Sequence, residues 1–293
     1  MYVITGATGN TGKGIALGLL EAGKEVRIVS RNAEKAKELT DKGAMLFLGN
    51  SDDITVLNQA FDGATTVYAM LPTAMQAEDV PATRLKHINA ITEALKSSSI
   101  KNVVSLSSVG ADLNSDTGIV LDLYKMEQEF NQIDGLNILH LRPSFFMENA
   151  FMTIGGIKEM DIMPGVLKED ISIPAIAVSD ISNYAVKRLL ALDFKGINVQ
   201  YLYGKGDVTY PEMATVFGTS IQKPDLQYVR VSYEDLKQSL LGMGASQSLA
   251  NEMCAFFEAV NEGKISAPKR NAENTQPTSI EDFATTFKHV YNM

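Results

Sequence analysis

Near the start of the chain, Thr5-Gly6-Ala7-Thr8-Gly9-Asn10-Thr11-Gly12 places three glycines at even spacing. The apolar run Tyr2–Thr5 precedes them, and Ile15, Leu19 and Ala22 follow at helical spacing. A glycine turn between a strand and a helix suits the holding of phosphate, because free backbone N–H groups and the positive end of the helix dipole point at the anion. Gly6 permits the tight turn, Gly9 the approach of a pyrophosphate, and Gly12 the packing of helix on strand. Thr8, Asn10 and Thr11 complete the loop, which we assign to a dinucleotide.

The next strand-like run, Glu25–Ser30, ends in Ser30-Arg31-Asn32. A chain that binds NAD usually carries an acid there for the ribose 2′-hydroxyl. The guanidinium of Arg31 suits a 2′-phosphate instead, with Ser30 and Asn32 as further donors and Lys35 one turn on. The expected cofactor is therefore NADP(H) rather than NAD(H), unless Arg31 is only a solvated residue before a helix. Asp52, in Asn50-Ser51-Asp52-Asp53, either meets the adenine amine or caps the following helix.

Positioning these residues requires a scaffold. Strands are expected at 2–5, 25–30, 44–48, 65–71, 102–106 and 136–141, with helical segments between them. Val80–Ser97 carries Leu85, Ile88, Ile91 and Leu95 as one face; a later helix carries Ile119, Leu123, Met126, Phe130 and Ile133. Such alternation predicts parallel βαβ units with right-handed crossovers, an α/β Rossmann-type doubly wound sheet. After residue 150 the rhythm changes, and 151–167 has no clear period. A helix capped by Ser179, a strand at 198–203, a helix opened by Pro211, a strand at 228–231 and three more helices follow, the last with Phe283 and Phe287 on one face. Residues 1–150 with 173–204 are read as the dinucleotide-binding domain, and 151–172 with 205–293 as a smaller C-terminal α/β substrate domain.

Composition excludes several functions. The net charge of −9 and the lack of any basic run argue against direct nucleic-acid binding. One cysteine, Cys254, and three histidines offer no metal-ligand cluster. No apolar run is long enough for a membrane span, and no secretory signal precedes the first strand. A soluble cytoplasmic protein with a small-molecule partner is expected.

Four stretches resemble the NmrA-like family, an atypical branch of the short-chain dehydrogenase/reductases that includes NADPH:quinone oxidoreductases. They are the glycine loop with Arg31, Leu141-Arg142-Pro143-Ser144-Phe145-Phe146-Met147-Glu148-Asn149, Thr209-Tyr210-Pro211-Glu212-Met213-Ala214, and Pro277-Thr278-Ser279-Ile280-Glu281-Asp282-Phe283-Ala284. The resemblance implies an NADP(H)-dependent oxidoreductase acting on a quinone-like or other small apolar acceptor. It equally covers redox sensors that bind the dinucleotide without catalysis and signal to a protein partner.

The usual catalytic pair of short-chain dehydrogenases is Tyr with Lys four residues on, one helical turn apart, where Lys lowers the Tyr pKa. Only Tyr201/Lys205 and Tyr233/Lys237 have that spacing, and both lie far downstream. On the appropriate helix, Tyr124 is followed by Gln128, so the pair is broken. The resemblance places a Lys or His at Lys125, which flanks the apolar face and either reaches the ribose or substrate or is exposed near Glu129. Tyr124 is the other candidate proton donor. Strand ends form the ligand crevice of open α/β sheets. Ser107 there either touches the ligand or caps a turn, and Leu71-Pro72 should pass the nicotinamide ribose. Phe145, Phe146, Met147 and Asn149 either line the acceptor side or form plain core.

Overall fold

The structure is a computed structural model that describes residues 1–293. Its strands are β1 (Tyr2–Thr5), β2 (Val26–Ser30), β3 (Met45–Leu48), β4 (Thr66–Ala69), β5 (Asn102–Leu106), β6 (Asn137–Pro143), β7 (Ile162–Gly165), β8 (Ile197–Leu202) and β9 (Gln227–Arg230). Seven of them form one sheet in the order β3-β2-β1-β4-β5-β6-β8, every neighbour parallel. This is a Rossmann-type sheet, and its strand order reverses between β1 and β4, where the crevice for a dinucleotide opens.

Helices cover both faces, so the central strands are apolar almost throughout. On one side lie α1 (Asn10–Glu21), α2 (Ala33–Asp41) and α7 (Val178–Ala191). Ile15, Leu19, Leu39, Ile181 and Leu189 pack there on Ile4, Ile28 and Leu141. On the other lie α3 (Ile54–Phe61), α4 (Val80–Lys96) and α5 (Leu121–Asn131), whose Leu57, Phe61, Ile88, Ile91, Met126 and Phe130 pack on Val3, Val67 and Val103. Leu85 is an exception to the expected face of α4, at 43% exposure. At about 100° per residue it sits at the rim of the stripe that Arg84, Ile88, Ile91 and Leu95 define.

The rest of the chain builds α6 (Ile154–Met160), α8 (Tyr210–Ser220), α9 (Tyr233–Gly242), α10 (Gln247–Asn261) and α11 (Ile280–Tyr291) around a separate core. Phe217 and Phe287 stack there at 4.1 Å. Strand β7 falls in the stretch that showed no period. It has four residues, two of them Pro164 and Gly165, and pairs only with β9. So short an edge strand leaves no readable alternation.

Helix caps account for much of the polar sequence here. Thr209 with Glu212, and Ser279 with Asp282, form capping boxes for α8 and α11. Ser179 does not cap α7, because that helix begins one residue earlier. Instead both carboxylate oxygens of Glu148 accept from the Val178 N–H, at 3.0 and 3.1 Å. Asp180 accepts from the backbone N–H and hydroxyl of Thr278, which ties the entry of α11 to α7.

His140 on β6 is wholly buried. The Ser105 hydroxyl donates to its Nδ1 at 2.6 Å, and its Nε2–H donates to Asn131 Oδ1 at 2.9 Å, which suits the neutral ring. Burial pushes its pKa down to about 4, against the pull of Glu127. The folded pKa lies below the unfolded value, so the contribution is complete above about pH 6.5 and is lost as pH falls toward 4. We expect urea titrations to show about 3 kcal/mol lost across that window. His140→Gln should flatten the dependence, and an equal slope in both proteins would refute this origin.

Candidate active site

At the switch between β1 and β4 the glycine loop turns directly into α1. Gly6 has φ +63°, a left-handed conformation natural to glycine, and a Cβ there would lie 2.3 Å from Met70 Sδ. A Cβ on Gly12 would lie 2.3 Å from the Gly6 carbonyl oxygen, so only glycine lets α1 pack this close to the turn. Gly9 is the N-cap and offers no side-chain cap, which leaves the first N–H groups of α1 unclaimed by any side chain. These features fit a pyrophosphate. Two loop hydroxyls are already engaged: Thr11 with Tyr68 at 2.9 Å and Thr8 with Ser30 at 3.4 Å.

At the end of β2, Arg31 is exposed and its guanidinium makes no ion pair or hydrogen bond within the chain. Asn32 accepts from the Lys35 N–H as the cap of α2, so its oxygen is already used. The cap of α3 is Asp53, not Asp52. Asp52 instead lies 4.0 Å from His87 Nε2, while the Ser51 hydroxyl lies 2.9 Å from His87 Nδ1. Burial lowers the His87 pKa, and Asp52 pulls the other way. His87 gave no sequence signal, since its partners are some 35 residues away.

A cavity of about 440 Å³ runs along the C-terminal ends of β4, β5 and β6. Gly9, Asn10 and Thr11 line one part, and Leu71, Ser107, Phe145, Phe146 and Asn149 line others. Ile119, Leu123, Met253, Phe256 and Ile265 complete a mainly apolar wall. Gly6, Thr8, Gly12, Arg31, Asp52 and Pro72 stand outside this wall. Met147 is 2% exposed and belongs to the second core, beside Gly204. Phe145 both lines the cavity and packs on Phe256 at 5.4 Å, which fixes its ring.

Neither Tyr124 nor Lys125 lines the cavity. Lys125 donates to Asp122 Oδ1 at 3.2 Å, and its side chain is 40% exposed. Its neighbour is thus Asp122, not Glu129. The spaced pairs downstream are used elsewhere: Tyr201 accepts from Arg142 Nη1, and Tyr233 accepts from Asn261.

The wall rests on a buried polar cluster that no sequence spacing announces. Arg142 on β6 grips Glu127 of α5 through a double contact, Nε to Oε1 at 2.9 Å and Nη2 to Oε2 at 2.5 Å. Ser107 donates to the same Glu127 Oε1. Burial opposes the Arg142 charge, but Glu127 and Tyr201 outweigh it and hold the guanidinium protonated. Ser107 is therefore oriented by Glu127 rather than acting as a turn cap.

The sequence profile described as the NmrA-like family matches residues 2–284. The chain belongs to the NmrA-like family. Among its relatives, an NAD(P)H azoreductase from Xenophilus azovorans is 27% identical over 258 residues, 88% of this chain and 86% of that protein. An uncharacterized oxidoreductase of Bacillus subtilis is 25% identical over 291 residues, 96% of this chain and 93% of its own. The NADPH-dependent quinone oxidoreductase of Escherichia coli, solved with NADPH, superposes with a TM-score of 0.83 at 19% identity, covering 98% of this chain and 99% of that one. Within the family pattern, the Glu148, Thr209/Glu212 and Ser279/Asp282 positions are helix caps here. Their role is to set elements around the cavity. No group of three or more His, Cys, Asp or Glu residues is placed to hold a metal. No helix is long and apolar enough to cross a membrane.

Proposed function

We propose that this chain is an NADP(H)-dependent oxidoreductase that passes hydride to a small, flat, largely apolar acceptor of the quinone class. One observation carries the reading: a mainly apolar cavity joins the phosphate-binding turn to the aromatic residues after β6. Its volume of about 440 Å³ lies in the range of small-molecule sites. The similarity to an NAD(P)H azoreductase and to an NADPH-dependent quinone oxidoreductase supports it.

The N–H groups at Gly9, Asn10 and Thr11 would hold the pyrophosphate, with Gly6 and Gly12 keeping the turn tight against α1. Arg31, unpaired within the chain, would take the 2′-phosphate, with Thr8 and Asp52 toward the adenosine half. Leu71 and Pro72 would flank the nicotinamide ribose, and Ser107 would face the ring from β5. When bound, the dinucleotide supplies the hydride. Phe145, Phe146 and Asn149 would hold the acceptor plane, and Met147 would support them from the core. Excluding water and stacking the acceptor account for most of what such a transfer needs. Water can protonate a reduced quinone, so the reading does not depend on Tyr124 or Lys125. We keep both as candidates for a proton donor or ribose contact reached by side-chain movement.

Following NADPH absorbance with a panel of small quinones tests the reading. Acceptor-dependent consumption is expected, and Arg31→Ala should raise the KM for NADPH about tenfold while changing that for NADH little. Tight NADPH binding with no turnover on any acceptor would refute it and favour a redox sensor that answers to the ratio of the two cofactor forms.

A further inference from the structure

Arg84 of α4 is the only charged residue in the wall of the cavity, and it is 4% exposed. Its three guanidinium nitrogens differ. Nη1 donates to the Ile119 carbonyl at 2.8 Å and lies 3.6 Å from Asp122 Oδ2. Nε is sealed inside the protein without a partner. Nη2 has no hydrogen bond to the chain either, but it is not sealed. It is the one donor of this cation left for a molecule in the cavity.

Arg142 shows how the same chain completes a guanidinium held only for packing, since its Nε, Nη1 and Nη2 all have acceptors. Leaving Nη2 of Arg84 open costs stability. The charge around it is already balanced, with Asp122 and Glu252 set against Arg84 and Lys125. Burial pulls the Arg84 pKa down to about 10, with Asp122 and Glu252 opposing, so the group stays cationic at neutral pH. A resting anion is therefore not needed there. A negative charge that develops during a reaction would instead meet an N–H already in place, in a wall otherwise formed by Ile119, Leu123, Met253 and Phe256. Fixed donors of this kind act most strongly where water is excluded.

We propose that Arg84 is a catalytic residue, its Nη2–H donating to a carbonyl oxygen of a para-quinone and stabilising the negative charge that hydride transfer places on that oxygen. The proposal rests on reading this cavity as the acceptor site of a quinone reductase. One quinone oxygen receives the hydride: the C4–H bond of the reduced nicotinamide breaks and an O–H bond forms. The electron pair displaced through the ring settles on the opposite oxygen, the one that faces Arg84. The products are the oxidised nicotinamide and a hydroquinone monoanion, and one proton from solvent then completes the hydroquinone. An oxyanion accepts a stronger hydrogen bond than a neutral carbonyl, so the contact tightens toward the transition state and raises kcat.

The test reads the charge without turnover. 4-Nitrophenol, whose phenolate is yellow, is titrated into the chain saturated with NADP⁺ over a range of pH. It should bind about tenfold tighter as phenolate than as phenol, so the bound probe ionises at lower pH than the free one. Variants separate Arg84 from the positive nicotinamide. Arg84→Lys keeps a cation beside Asp122 but lacks Nη2. Arg84→Met with Asp122→Asn removes both charges, should the lysine variant fail to fold. Either should lose most of the preference and lower kcat for 1,4-naphthoquinone about a hundredfold, with the Kd for NADPH little changed. Equal binding of phenol and phenolate by the unaltered chain, or a preference and kcat that survive the substitution, would overturn the proposal. The quinone assay also separates it from the reading beneath it. Turnover without phenolate preference overturns the role of Arg84 and leaves the reductase intact. A preference that depends on Arg84, with no turnover of any quinone, overturns the reductase and the catalytic role with it.

Discussion

Glu127→Ala is expected to destabilise the chain by about 3–5 kcal/mol, measured by urea unfolding at neutral pH. Glu127 is 1% exposed and Arg142 is 8% exposed, so neither charge can turn to water when its partner goes. The substitution strands the Arg142 guanidinium with only Tyr201 and the more distant Asp112. It also removes the acceptor of the Ser107 hydroxyl. The large loss reflects an orphaned charge, not the net worth of the pair. Replacing both partners by apolar residues of similar size, Glu127→Leu with Arg142→Met, should therefore recover most of it. A double variant no more stable than Glu127→Ala would contradict this account. Glu127→Gln keeps one oxygen, which can still accept from Ser107 and Arg142 Nε, but turns an NH2 group toward Arg142 Nη2, and should fall between.

The second expected result concerns the glycine turn. Gly12→Ala should raise the Kd for NADPH by about a hundredfold, because displacement of reacting or binding groups by about 1 Å has effects of that size. The new methyl would stand 2.3 Å from the Gly6 carbonyl oxygen, 2.8 Å from its carbon and 3.0 Å from Ala7 Cα. All three are backbone atoms, so a rotamer change cannot relieve the contact. Either the turn or α1 must move, and both carry the N–H groups proposed for the pyrophosphate. Overpacking of this kind costs about 1–3 kcal/mol of stability, so circular dichroism must accompany the titration. A folded Gly12→Ala chain with unchanged NADPH affinity would refute the placement of the phosphates at this turn. Gly63 is the control, since a Cβ there meets nothing within 4 Å, although its φ of +66° is itself costly for alanine.

What the order of residues determined alone is local. The glycine turn could be read because strand, turn and helix are contiguous, and each glycine has a reason tied to its immediate neighbours. The alternation of strands and helices was legible for the same cause, since periods of two and of 3.6 are short-range patterns. Period alone failed where elements were too short, as in β7, or where a helix began one residue away from its expected cap, as in α7. At Lys125 the helical phase marked a flanking position, and only packing revealed that Asp122 claims its ammonium and that Leu123 faces the cavity instead.

Tertiary structure decided everything that joins residues from separate elements. Glu127 and Arg142 meet across a helix and a strand, and Ser107 reaches them from another strand. Arg84 enters the cavity wall because α4 packs beside the turn that leads into α5, where Ile119 offers its carbonyl. No spacing rule connects such residues, because loops of arbitrary length separate them and only the parallel sheet brings their ends together. The charged groups most consequential for this site are also the ones a sequence presents as ordinary surface residues. Their burial is a property of the fold, and with burial come the unpaired donors of Arg84 and the carboxylate fork of Arg142.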